Sequence, residues 1–150
     1  MTAKEFWEYL CKELNYRFFA GVPCKGLKLL YDNMDAKIMH YIPAVKENVA
    51  LGLVSGSFLT GNKAAVIMNF DRLYNILDWM KSFNIHYHIP ALIIAYDSES
   101  DDKITRALTA YKIPYRTAKN LKKDLRYITN KIAREEIPGV LILRKGVLEE

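Results

Sequence analysis

Five short runs constrain the fold more than anything else in the chain: RFFAGV at 17–22, KIMHYI at 37–42, AAVIMN at 64–69, ALIIAY at 91–96 and VLIL at 140–143. Most are apolar throughout. A strand with one face in water alternates apolar and polar residues, whereas a strand buried on both faces reads as a continuous apolar run. Helical apolar spacing fills the intervals. Residues 2–14 carry Phe6, Tyr9, Leu10 and Leu14 on one face, with Thr2 as a cap. Further helices are predicted over 27–34, from Glu47 onward, over 72–83 with Leu73, Ile76, Leu77 and Met80 inward, over 101–112 opening at Asp101, and over 120–135. A short strand at 115–117 completes the order. The alternation predicts an α/β fold: a six-stranded, mainly parallel sheet with helices on both faces, in one domain over 1–150. Right-handed crossovers would bring the loops at 21–24, 43–47, 69–72 and 96–100 to one sheet edge, where such proteins bind ligands.

A hydrophobic content of 51% against 26% charged residues excludes a disordered chain. Cys11 and Cys24 form no Cys-x-x-Cys, so the expectation is free thiols in a reducing cytoplasm. The first residues carry both charges and no long apolar core, and no run is long enough to span a bilayer, so neither a leader nor a membrane is expected. The net charge of +5 is uneven: 103–134 holds ten basic residues and one acid, Asp124. Such a run reads as the solvated face of two surface helices, with an acidic partner or nucleic acid as the competing reading. Aromatics interleave sparsely, and nucleic acid is not expected.

The stretch 47–75 is the most informative. It sets a glutamate ahead of small and apolar residues, then a Gly-Asn turn, an apolar run and a second helical pattern. Gly52 and Gly56 lie four apart on one helix face, and each costs a helix about 1 kcal/mol relative to alanine. Something should sit against that face. Nucleotide motifs are missing: there is no Gly-x-Gly-x-x-Gly, no Gly-x4-Gly-Lys-Ser/Thr and no Gly-x-Ser-x-Gly turn. His86 and His88 fall on one side of a segment read as extended. With no third ligand in view, no metal site is predicted.

FFAGVPCKGLKLL, AVKENVALGLVSGSFLTGNKAAVIMN, Asn75 and IPALII together resemble the pyrimidine-binding (PYR) domain of thiamine-diphosphate-dependent decarboxylases. The likeness covers residues 1–116 and is strongest toward sulfopyruvate and phosphonopyruvate decarboxylases, above all the separate alpha subunit of the former. It rests most on Gly21-Val22-Pro23, on Glu47-x-x-Ala50-x-Gly52-x-x-Ser55-Gly56, and on Gly61. The resemblance implies a six-stranded parallel sheet and a catalytic role for Glu47. A glutamate at this position faces N1′ of the cofactor's aminopyrimidine ring and shares a proton there, which needs a dry, apolar setting. It further implies that Gly21, Val22, Pro23, Glu47 and Asn75 contact thiamine diphosphate. Cys24, Asn69, Asp71 and Arg72 lie in the loops that would face an α-keto acid substrate. The plain alternative for Glu47 is a solvated acid favoured by a helix N-terminus.

Two departures qualify the resemblance. The family's diphosphate-binding half carries Gly-Asp-Gly with a downstream asparagine for magnesium, and this sequence has neither. A partner chain holding the Mg2+ and diphosphate is therefore implied, in a hetero-oligomer, with Gly52 and Gly56 available as a close-approach surface. The second departure follows the third strand. The family's Met-Gln-Asn-Ser-Gly-Leu-Gly-Asn reads here as Met68-Asn69-Phe70-Asp71-Arg72-Leu73-Tyr74-Asn75, so that Arg72 and Tyr74 replace glycines and should fill space. The Arg-Gly usual after the fourth strand is missing too. Either the substrate differs, with Arg72 meeting an anionic group, or the domain has lost the reaction and serves as a partner-binding module.

Overall fold

The computed structural model describes residues 1–99 and 102–149. Its core is a six-stranded sheet with every pairing parallel, in the order β2-β1-β3-β4-β6-β5. The strands are β1 (Tyr16–Gly21), β2 (His40–Pro43), β3 (Lys63–Asn69), β4 (Ala91–Asp97), β5 (Tyr115–Thr117) and β6 (Pro138–Arg144). The central strands β3, β4 and β6 are buried almost throughout, as their unbroken apolar runs require.

Helices cover both faces. On one lie α1 (Ala3–Glu8), α2 (Lys28–Asp32) and α6 (Leu121–Glu135), packing Phe6, Trp7, Leu30, Leu125 and Ile128 against the sheet. On the other lie α3 (Glu47–Leu59), α4 (Leu77–Trp79) and α5 (Asp102–Ala110), contributing Ala50, Val54, Leu77 and Leu108. Caps follow the sequence. Thr2 and Glu5 exchange side-chain and backbone hydrogen bonds in a capping box, and Asn120 caps α6 by accepting from the Lys123 amide. The expected helix start at Asp101 and the loop end at Ser100 lie outside the described residues.

Three expectations need correction. The 37–42 strand shortens to β2, because Asp35 folds the chain first: its carboxylate accepts from the Lys37 amide and its carbonyl from Ile38 and Met39. The 72–83 helix is instead a 3-10 turn (Phe70–Asn75), the single turn α4 and a π-helical turn (Met80–Ile85). Phe70, Leu73, Ile76, Leu77 and Met80 all stay inward through the changes of pitch, so the apolar stripe the spacing predicts is kept while the helix type is not. Finally, His86 and His88 sit in a turn, not an extended segment, and His88 adopts φ 57°.

Burial pushes the Cys11 thiol up to about 11, and both cysteines are free. Among the described residues no helix is long and apolar enough to cross a membrane.

Candidate active site

The strand order reverses between β1 and β3. From β1 the chain passes outward to β2 over one face, and from β3 it passes the other way to β4 over the opposite face. Diverging loops at such a point leave a crevice beyond the carboxyl ends of the strands. A cavity of about 550 Å3 lies there. Val22, Pro23 and Cys24 line it from the loop after β1; Val45, Lys46, Glu47 and Asn48 from the approach to α3; Asn69, Arg72 and Asn75 from the turn after β3.

Glu47 is the first residue of α3. It occupies the inward stripe with Ala50, Leu51, Val54 and Ser55, so the apolar pull that seats α3 on the sheet also draws the carboxylate in. Glu47 is 8% exposed, where a solvated helix-start acid would stand in water. Asn75 Nδ2 donates to its Oε2 at 3.5 Å, a long contact. The backbone amides at the start of α3 favour negative charge, and Lys46 caps the helix without a side-chain bond. At the far end of α3, buried Asn84 donates to Ser55 Oγ at 2.9 Å and to the Ile89 carbonyl at 3.2 Å. The 70–85 segment is thus tied to α3 at both ends, which holds Asn75 and Arg72 over the cavity.

The loop after β1 is fixed from behind. Tyr41 donates to the Gly21 carbonyl at 3.4 Å and Tyr31 to the Val22 carbonyl at 3.5 Å, with the two rings 5.5 Å apart. Burial drives both phenols upward in pKa. Burial also raises the Cys24 thiol, against hydrogen bonds from the Leu27 and Gly26 backbone and with a further push from the Asp71 charge.

Of the nine predicted site residues, Val22, Pro23, Cys24, Glu47, Asn69, Arg72 and Asn75 line the cavity. Gly21 does not. It is the last residue of β1, and a Cβ there would lie 2.0 Å from the Ile67 carbonyl oxygen, so strand packing by itself requires glycine. Asp71 stands outside the wall and is exposed. Arg72 borders the cavity as expected, but Tyr74 is 52% exposed and fills nothing there. Sequence reasoning missed Lys46, Val45, Asn48, Asn84 and the two tyrosines. The available signal was that a half-buried tyrosine hydroxyl needs a partner. Among the described residues no three His, Cys, Asp or Glu side chains gather as a metal site.

The fold has a solved counterpart. The 2-oxoglutarate:ferredoxin oxidoreductase from Magnetococcus marinus, with 2-oxoglutarate, coenzyme A and succinyl-CoA bound, matches 98% of this chain and 29% of its own at a TM-score of 0.78. At 10% identity that match carries the fold alone. Two relatives are closer in sequence, both named sulfopyruvate decarboxylase subunit alpha. The Methanocaldococcus jannaschii protein is 33% identical over 84 residues, or 55% of this chain and 50% of that protein. The Methanococcus maripaludis protein is 33% identical over 111 residues, or 65% of this chain and 66% of that protein. The chain is a PYR-like domain of the thiamine-diphosphate enzymes. This PYR-like domain spans half of the first relative's length and 66% of the second's. No protein-family model matches it.

Proposed function

We propose that the PYR-like domain is the pyrimidine-binding subunit of a split thiamine-diphosphate enzyme that decarboxylates an α-keto acid of the sulfopyruvate or phosphonopyruvate type. One observation carries the reading: a buried carboxylate, Glu47, on the inward stripe of α3 at a cavity in the sheet's switch-point crevice. The residues fit one end of the cofactor. Glu47 offers a carboxylate to a ring nitrogen, and Val22, Pro23 and Val45 offer apolar surface to a ring face. When bound, thiamine diphosphate supplies the electron sink that α-keto acid decarboxylation requires. Glu47 would hold a proton at the pyrimidine nitrogen, and Asn75, which donates to its Oε2, would orient that carboxylate. Lys46 and Arg72 at the rim attract an anionic substrate.

The diphosphate end does not fit this chain. Its cavity wall has no glycine-rich turn, and Glu47 is its one acid. A partner chain of the diphosphate-binding type, carrying the Mg2+, completes the site in this proposal. The outward face of α3 suits that partner. Val49 is 44% and Leu59 65% exposed, and Gly52 and Gly56 have nothing within 4 Å of an added Cβ. The face that should have had something against it meets nothing in this chain.

The test is Glu47→Gln in the reconstituted complex. Glutamine keeps the shape and cannot exchange the proton, so turnover should fall about 100-fold or more. Turnover within about twofold of the unaltered complex would leave the domain a partner-binding module.

A further inference from the structure

We propose that the PYR-like domain has a second ligand site, in the crevice between the carboxyl ends of β4 and β6, and that it takes a small organic carboxylate with an apolar body. The topology opens this crevice as it opens the first. β4 leads to α5 on one face of the sheet, while the chain after β6 turns to the other, where Val147 and Leu148 pack beside α1 and α2. Loops leaving neighbouring parallel strands in opposite directions leave room between them. The room here is a cavity of about 310 Å3 that shares no wall residue with the Glu47 site.

Its wall and its mouth differ in character. Leu27, Leu29 and Leu30 form one side, Leu148 another, and the in-register pair Tyr96 and Leu143 comes from the strand ends. The Tyr96 ring is seated by the backbone opposite: a Cβ on Gly26 would come within 2.1 Å of it, so only glycine leaves the ring where it is. At the mouth, Arg144 Nε donates to Asp97 Oδ2 at 3.2 Å, and that Asp97 side chain is almost wholly buried. This contact fixes the plane of a guanidinium whose terminal nitrogens carry four further donors, the geometry that suits a carboxylate. Lys145 follows, exposed. Arg144 and Lys145 both belong to the cavity wall, which holds no acid among the described residues, so the mouth favours a negative group while the leucines take an apolar body.

A ligand of this size binds with a Kd on the order of 1 mM. Hexanoate is the probe, titrated into the 15N-labelled full chain and followed by amide shifts, with hexylammonium as the charge-reversed control. Saturable shifts at Gly26, Leu29 and Gly146, absent with hexylammonium, are the expected result. Arg144→Gln should raise the Kd about fivefold or more. Lys145→Gln, which leaves the Asp97 contact intact, should raise it about twofold. The proposal is overturned by any of three results: no saturation by about 20 mM hexanoate, equal shifts with hexylammonium, or shifts confined to Cys24 and Asn69 of the Glu47 cavity. None of these outcomes depends on thiamine diphosphate or on a partner chain.

Discussion

Helices α3 and α6 lie on opposite faces of the same sheet and solve their outer faces differently. α6 buries Leu121, Leu125, Ile128 and Ile132 and turns Lys122, Lys123, Arg126 and Arg134 to solvent. The acid in its first turn, Asp124, is buried and accepts from the Lys119 and Asn120 amides at 2.9 Å, so it fixes the turn into the helix while the cations stay outside. Water finishes that helix. α3 buries Ala50, Leu51 and Val54 yet shows Val49, Gly52, Leu53, Gly56 and Leu59 on the other side, with no charged residue anywhere in 48–62. Interface cores are depleted of charge in this way, and free surfaces are not. A basic run in the sequence therefore marks a finished surface here, and an uncharged run marks an unfinished one.

Truncating the inner face of α6 should produce the largest change. Leu125→Ala or Ile128→Ala should cost about 2–5 kcal/mol of stability in urea unfolding, because both side chains are fully buried. A cost under about 1 kcal/mol would mean the helix is not seated as described. On α3 the outer face should answer differently. Leu53→Lys should weaken assembly with a diphosphate-binding chain at least tenfold by calorimetry, while the isolated domain unfolds within about 0.5 kcal/mol of the parent. Equal assembly would remove this face from the proposed interface. Gly52→Ala divides the two properties further. An added Cβ meets nothing, so the isolated domain should gain up to about 1 kcal/mol, with assembly unimproved or worse. Smallest of all, changing Lys122, Lys123 and Arg126 together to glutamine should move stability by no more than about 0.5 kcal/mol and leave assembly unchanged. Tight, salt-sensitive DNA binding by the parent that this triple change abolishes would reverse the reading of α6 as a solvated face.

Most of the architecture was legible because burial on both faces leaves an unmistakable mark: AAVIMN and ALIIAY have few other uses. What escaped was local chemistry that competes with the apolar pattern. Asp35 turned the start of an expected strand, and nothing in the spacing of Phe70 to Met80 announces three helical pitches in succession. At the site, topology placed the loops and the family resemblance named the residues, and seven of the nine line the cavity. At Gly21 the sequence leaves strand packing and ligand approach undivided, because a glycine needed for either looks the same. Asn84 and the paired tyrosines were out of reach because their partners are backbone carbonyls and a serine 29 residues away.

The all-parallel sheet sets how this molecule can assemble itself in time. No hairpin is available: even the neighbouring pair β1–β2 closes over the whole of α2, and β1–β3 must also enclose β2 and α3. Every pairing asks the chain to lose loop entropy before its contacts repay it, which puts such topologies at the slow end for their length. β1, flanked on both sides, is the strand on which the first half of the sheet waits. Until it docks, the inward stripe of α3 and the bare edge of β3 are exposed together. The danger of clumping is therefore greatest in the early moments of refolding, and once the sheet closes only the outer face of α3 still asks for a partner.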